Sequence, residues 1–259
     1  MTPYLIKGIS LESPSRNRMT SYKTRAIVIK RLSYGESDRI LTLFSHELGK
    51  LGVIAKRVRK SGSKLAGYTE LFSESDFILS SGRSMDIITD ASLVSSPMSH
   101  TLDLDESKML YFFAEIIYKL FPDKQPNAEI YDSLSFVLKN IENKSTKLLY
   151  IYFVTRVLKT LGIYPELGVC LSCGEKPGGD IVFDNQSGGI FCEPCKGKTF
   201  SSKPVSKEVI KLWRFFLDSK NTEILRLKIE PDILEVLYQI STDYITKASG
   251  IEYNTLRQL

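Results

Sequence analysis

The chain has 259 residues, 42% of them hydrophobic and 25% charged, with a net charge of +5, which is the composition of a folded protein of one large or two to three small domains. No apolar run approaches the roughly 18–20 residues that cross a bilayer. The richest, Leu148 to Leu161, is broken by Arg156 and Lys159, so the chain is expected to be soluble and cytoplasmic, without a membrane partner. The charge is uneven: Tyr22 to Lys64 holds 11 Lys/Arg against three acids, a net +8, while Leu65 onward nets −5. A basic N-terminal module on an acidic remainder points to a polyanion, with a solvated charged face as the plainer alternative.

Residues 1–21 form an extension expected to be disordered. Its only apolar patch is Tyr4-Leu5-Ile6, too short for a signal peptide core, and Met19 is an alternative start. From residue 22 to 100 the pattern is β. Thr24 to Leu32 is β-branched and apolar, Arg39 to Phe44 alternates, and Leu51 to Val58 follows the Gly49-Lys50 turn. Glu70 to Ser80 and Met85 to Thr89 complete five short strands with no helix between them, which predicts a small closed barrel of a kind that offers a groove to single-stranded nucleic acid.

From Asp105 the period becomes 3.6, and residues 101–165 read as the first part of a helical domain. Met109, Phe112, Phe113, Ile116 and Ile117 make one stripe, and Ile130, Leu134, Val137, Leu138 and Ile141 the next. A third helix runs from about Ser145 to Leu161 and stops at Gly162. Residues 201–259 supply the second part, with helices marked by Val209, Trp213 and Phe216 and by Leu237, Ile240, Tyr244 and Ile245, the latter entered through Pro231. These stripes read as core.

Between them, residues 166–200 carry the chain's only four cysteines, Cys170-x-x-Cys173 and Cys192-x-x-Cys195, with 18 residues between the pairs. Each pair brings two sulfurs to one side of a tight turn, and two such turns close a tetrahedron around Zn²⁺. A closed four-sulfur site has no open position for water, so the metal's expected role is structural. An iron–sulfur cluster, a redox pair and a disulfide pair are the alternatives. The apolar runs Asp180 to Phe183 and Gly189 to Phe191 predict a hairpin joining the two knuckles.

Catalysis finds little support. Gly62 to Gly67 has the outer spacing of a phosphate-binding loop, but Tyr68 stands where the lysine belongs. With only His46 and His100, neither in a zinc-hydrolase setting, the chain is read as no enzyme.

Particular strings sharpen the reading: Tyr34-Gly35-Glu36-Ser37-Asp38-Arg39, Glu47-Leu48-Gly49-Lys50-Leu51, Ala55-Lys56-Arg57-Val58-Arg59-Lys60 and Gly162-Ile163-Tyr164-Pro165-Glu166-Leu167 before the first knuckle. With the order of barrel, helices and inserted cysteines, they resemble the RecO family of bacterial recombination mediators, from about Met19 to the C-terminus. The resemblance implies an α+β architecture of an N-terminal OB-fold and a helical domain bearing the zinc segment. It also implies DNA repair by homologous recombination, nucleoid association, and binding and annealing of single- and double-stranded DNA. Loading of the recombinase RecA onto DNA coated by single-strand-binding protein would follow, with RecR as partner. Family members without the cysteines exist, which makes the metal a stabiliser.

On that reading Lys30, Arg31, Arg39, Lys56, Arg57, Arg59, Lys60 and Lys64 are candidates for phosphate contact, and Tyr34 and Tyr68 for stacking. Barrel packing is the alternative for each tyrosine. The family's contact with the acidic tail of single-strand-binding protein calls for cations beside an apolar pocket, for which Arg156, Lys159 and Tyr152 on the third helix are candidates. The competing functions are an RNA- or transcription-related zinc-ribbon and OB protein, an interaction scaffold docking an acidic protein, and a zinc or thiol enzyme.

Overall fold

The structure, a computed structural model, describes residues 21–97, 102–199 and 201–256. The expected extension, apart from Ser21, and Met19 and His100 lie outside the described residues. Five strands, β1 (Ser21–Tyr34), β2 (Asp38–Ser45), β3 (Gly49–Ala55), β4 (Glu74–Ser80) and β5 (Asp86–Ser95), close a barrel in the order β1-β2-β3-β5-β4. Neighbours are antiparallel except β3 and β5, which run parallel with Val53 opposite Asp86. This is a barrel of the OB type, filled by Val28, Leu41, Leu43, Val53, Phe77 and Leu79.

Several strand boundaries differ from expectation, and β1 starts at Ser21, not Thr24, while β5 runs on to Ser95, not Thr89. Strand β3 stops at Ala55, not Val58, and β4 starts at Glu74, not Glu70. Arg57 and Phe72 have φ of +55° and +64°, left-handed values that no strand accommodates. The cations from Lys56 to Lys64 therefore sit on a connection of successive tight turns, with Lys60 N–H on Arg57 O, Ser63 N–H on Lys60 O and Ala66 N–H on Ser63 O.

A bulge in β1 decides which side chains face out. Val28 lies opposite Leu43 and Lys30 opposite Thr42, so Ile29 is an extra residue in the ladder. Before the bulge Ala26 and Val28 point into the barrel; unbroken alternation would carry Lys30, Leu32 and Tyr34 inward as well. The extra residue reverses this: Arg31, opposite the buried Leu41, turns toward the barrel, while Leu32 and Tyr34 are each 53% exposed.

Helices α1 (Leu104–Leu120), α2 (Ala128–Asn140), α3 (Thr146–Thr160), α4 (Lys207–Asp218), a short α5 (Asn221–Ile224) and α6 (Pro231–Ser249) follow. Their starts are written in the sequence: Asp103 and Glu106 form a reciprocal capping box on α1, Asn127 caps α2, and Ser206 caps α4. Helix α3 is central, and every residue from Leu148 to Leu158 is buried. A helix buried on all sides is apolar all round, which is how this one reads.

Between α3 and α4, β6 (Ile181–Asp184) and β7 (Gly189–Cys192) form the expected hairpin, and β8 (Ser202–Val205) pairs with the other edge of β6. Ile181, Phe183, Ile190 and Val205 enter the same core as Trp213 and Tyr244. The insert is thus a wall of the helical core.

Barrel and helices share one core, since Ile27, Ile29 and Phe44 on the outer barrel wall pack with the helical residues. Gly49 permits close approach at the β2–β3 turn: a Cβ there would lie 2.2 Å from Gln125 O. Between β4 and α2 lies a buried charge. Glu74 accepts hydrogen bonds from Tyr131 Oη at 2.9 Å, Ser135 Oγ at 3.1 Å and Ser95 Oγ at 3.0 Å, and lies 3.4 Å from Lys139 Nζ. Burial alone would raise its carboxyl, but the Tyr131 hydrogen bond, the Lys139 charge and the two serines hold it below the usual range. Glu74→Ala should destabilise the chain by about 3 kcal/mol, at about 1–3 kcal/mol per buried hydroxyl left unpaired. A depressed folded-state value means that the carboxylate's contribution is present above the unfolded pKa near 4.3 and is lost as pH falls through the folded one. Denaturation midpoints from neutral pH down to about pH 3 should accordingly converge for the parent and Glu74→Gln.

Candidate nucleic-acid interface and metal centre

The four cysteines meet. Their Sγ atoms all lie within 4.8 Å of one another, and none is in a disulfide. Cys173 and Cys192 Sγ are 3.8 Å apart, the edge of a tetrahedron with bonds of about 2.3 Å, whose edges are about 3.8 Å. Backbone hydrogen bonds position the two knuckles. Gly174, at φ +76°, lets its N–H reach Cys170 O, and Leu171 N–H bonds Ile190 O, tying the first knuckle to β7. Asp184 turns the hairpin by accepting from Gln186 and Ser187 N–H.

The thiols are chemically unequal. Burial works against ionising Cys170, yet N–H donors from Cys192, Cys173 and Ser172 bring it down to about 6. Desolvation and contacts with the other three sulfurs push Cys192 up to about 12. Four sulfurs this close cannot all be thiolates unless a cation shares their charge, so the donor set fits a thiophilic metal ion held by Cys170, Cys173, Cys192 and Cys195.

The basic residues of the barrel divide into two groups. Arg31 and Arg39 face the barrel side of their strands and both bind Glu70, Arg39 Nη1 at 3.0 Å from Oε1. They close the barrel and are occupied. The other group is free of such partners: among the described residues no ion pair involves Lys30, Lys56, Arg57, Arg59, Lys60 or Lys64. All but the half-buried Lys30 are exposed. The β1–β2 turn is fastened to this connection, with Arg57 N–H on Asp38 Oδ1 at 2.7 Å, Arg59 N–H on Ser37 O at 2.9 Å and Arg59 Nη1 on Gly35 O at 3.3 Å. These bonds bring exposed Tyr34 beside the cations. Tyr68 is different: half-buried, it packs on the barrel core, so its ring is a plug.

Sequence reading missed Tyr118. It is 44% exposed on α1, with Lys30 Nζ 4.0 Å and Lys50 Nζ 4.8 Å from its ring centroid. A signal was available, since Tyr111 and Tyr118 are seven apart and both fall outside the apolar stripe of α1.

The third-helix candidates must be corrected. Tyr152 is fully buried, its hydroxyl 2.6 Å from Asn221 Oδ1. Arg156 is 8% exposed, donates to Ser219 O and faces Glu129. Lys159 keeps a partly exposed side chain, but its Nζ donates to Leu217 O at 2.6 Å. Between Leu148 and Leu158 this central helix presents no exposed face to a partner.

No helix of the described residues is long and apolar enough to cross a membrane. The chain matches two family models, one described as recombination protein O N terminal over residues 19–97 and one as recombination protein O C terminal over residues 102–257. A DNA repair protein RecO of Dehalococcoides mccartyi is 34% identical over 218 residues, 83% of this chain and 86% of that one. One of Listeria monocytogenes is 28% identical over 230 residues, covering 88% and 90%. Matches to both halves in the order barrel, then helices with a four-cysteine wall, make the chain a member of the RecO family.

Proposed function

We propose that this protein is a DNA repair and homologous-recombination mediator that binds single- and double-stranded DNA, anneals complementary strands and helps load RecA onto DNA coated by single-strand-binding protein. The observation that carries the reading is the uncompensated positive charge of Lys56, Arg57, Arg59, Lys60 and Lys64 on one connection of an OB-type barrel. Annealing brings two polyanions together. A dense cationic ribbon on irregular turns lowers their repulsion and reads no sequence, because contacts to phosphates carry none. No nucleotide hydrolysis is needed, and the activity is binding without catalysis.

The metal in this reading is Zn²⁺, held structurally by the four cysteines. RecR and the acidic tail of single-strand-binding protein are the protein partners. With α3 buried, we place the tail at the groove on α4 lined by Lys211, Arg214, exposed Phe215, Asp218, Ser219 and Glu223, where Lys211 and Arg214 would take the tail's carboxylates and Phe215 its apolar end, against the two acids of the same groove. The test is annealing of complementary oligonucleotides, naked and pre-coated with single-strand-binding protein. The chain should accelerate both reactions, and Phe215→Ala should slow only the coated one. Failure to anneal naked strands, or a preference for RNA over single-stranded DNA, would favour the RNA-related alternative.

A further inference from the structure

Resting on the reading of the barrel as a DNA-binding module, we propose that Tyr118 on α1 is a base-stacking position for unpaired nucleic acid, with Lys30 as the phosphate contact beside it. A single strand bound at the barrel would then continue onto the first helix of the helical domain. Three observations lead there. The bulge at Ile29 turns Lys30, Leu32 and Tyr34 onto one outer face of β1, and from Lys30 to Tyr34 the strand advances about 13 Å at about 3.3 Å per residue. That face is continuous with α1, since Lys30 Nζ lies 4.0 Å from the Tyr118 ring centroid. It ends, at Tyr34, beside the cationic connection.

The two lysines at Tyr118 have different freedom. Lys50 is 6% exposed and pinned, its Nζ 2.5 Å from Tyr118 O and 3.2 Å from Asp123 Oδ1. It holds the Tyr118 backbone and lies 4.8 Å from the ring centroid. Lys30 has the ring as its partner and makes no ion pair among the described residues. A cation–π contact between a half-buried lysine and a half-exposed ring is no stronger than a base–aromatic stack, so a strand can draw the Lys30 ammonium to a phosphate and give a base the vacated ring face. Tyr118 and Tyr34, both about half-exposed, would hold bases at the two ends of the β1 face with charge between them. This is the pattern of a platform for single strands: aromatic faces tolerant of any base, and cations tracking the backbone.

The experiment compares a thymidine oligonucleotide with a blunt duplex of equal length, by fluorescence anisotropy on the full chain at fixed salt. Stacking needs unpaired bases, so Tyr118→Ala should weaken oligonucleotide binding about 10-fold and leave duplex binding within about twofold. Tyr118→Trp should retain affinity. Its emission should be quenched by the oligonucleotide over the background of Trp213, which is fully buried and the chain's only tryptophan. Parent-like oligonucleotide binding by Tyr118→Ala, equal losses on both substrates, or an unquenched Tyr118→Trp would overturn the proposal. The triple variant Lys56→Glu/Arg57→Glu/Lys60→Glu, which reverses the charge of the connection, is run alongside. If it loses both substrates while Tyr118→Ala loses neither, the stacking position fails and the barrel reading stands; if it loses neither, the barrel reading itself fails.

Discussion

Replacing Lys56, Arg57 and Lys60 together with glutamate should lower affinity for single-stranded DNA by about 100-fold at 0.1 M salt and remove about half of its salt dependence. The argument starts from the count of free cations. With Arg31 and Arg39 both engaged by Glu70, six candidates remain, Lys30, Lys56, Arg57, Arg59, Lys60 and Lys64. Six phosphate contacts give a slope of log affinity against log salt of about −4 on single strands, at about −0.7 per contact. Removing three leaves about −2. Between 0.1 M and 1 M salt, three contacts amount to about two log units, and reversed charge adds repulsion to that loss. The fold should survive, because the three side chains are exposed and make no ion pair among the described residues. Arg31→Ala and Arg39→Ala should behave differently: each removes one of the two arginine partners of Glu70 and should cost stability more than affinity. Salt titrations by anisotropy, with thermal midpoints on the same variants, separate these effects. An unchanged slope in the triple variant would remove the basic connection from the mechanism.

That division of the arginines shows what a linear sequence carries and what it does not. The barrel was readable because β-branched runs between glycine turns follow from local sterics, and the helices because their stripes and caps lie within a few residues of each other. The cysteine centre was readable because spacing alone brings sulfurs together. The pairing of Arg31 and Arg39 with Glu70 joins residues 39 and 31 positions apart, and no local pattern announces it. The bulge at Ile29 was equally hidden, since it breaks the two-residue alternation on which strand reading depends. Strand β8 gave no signal: Ser-Lys-Pro-Val is polar and contains proline, tolerated because β8 is an edge of its sheet.

The error on α3 has another origin. Arg156 and Lys159 beside Tyr152 suit an acidic tail only if that side of the helix faces solvent, as charged positions on a helix usually do. The flanking run Leu-Leu-Tyr-Ile-Tyr-Phe-Val is apolar on every side, and that was the stronger signal, because only a central helix is enclosed all round. Arg156 is tolerated inside because its guanidinium caps the end of α4 through Ser219 O and faces Glu129.

Loss of the metal centre should unfold the wall it holds and expose the core behind it. The sheet β7-β6-β8 has four-residue strands, too little to stand alone, yet Phe183, Ile190 and Val205 cover Trp213 and Tyr244. Metal binding to such a site is folding free energy, about 10–16 kcal/mol in isolated zinc-finger peptides. Cys173→Ser leaves three thiols for a cation that four were placed to neutralise. We expect that variant to retain no stoichiometric zinc, to melt well below the parent, and to shift Trp213 emission to the red, because Phe183 sits 5.1 Å from the indole ring centroid. A chelator should produce the same shift in the parent. Metal analysis of the purified parent distinguishes zinc from iron, and an iron–sulfur cluster would also announce itself by visible absorption. A metal-free Cys173→Ser chain with parental melting and unshifted Trp213 emission would show that side-chain packing suffices to hold this wall. DNA binding at moderate temperature should survive in the variant even as its thermal midpoint falls, because the cations lie on the barrel while the cysteines brace the helical core.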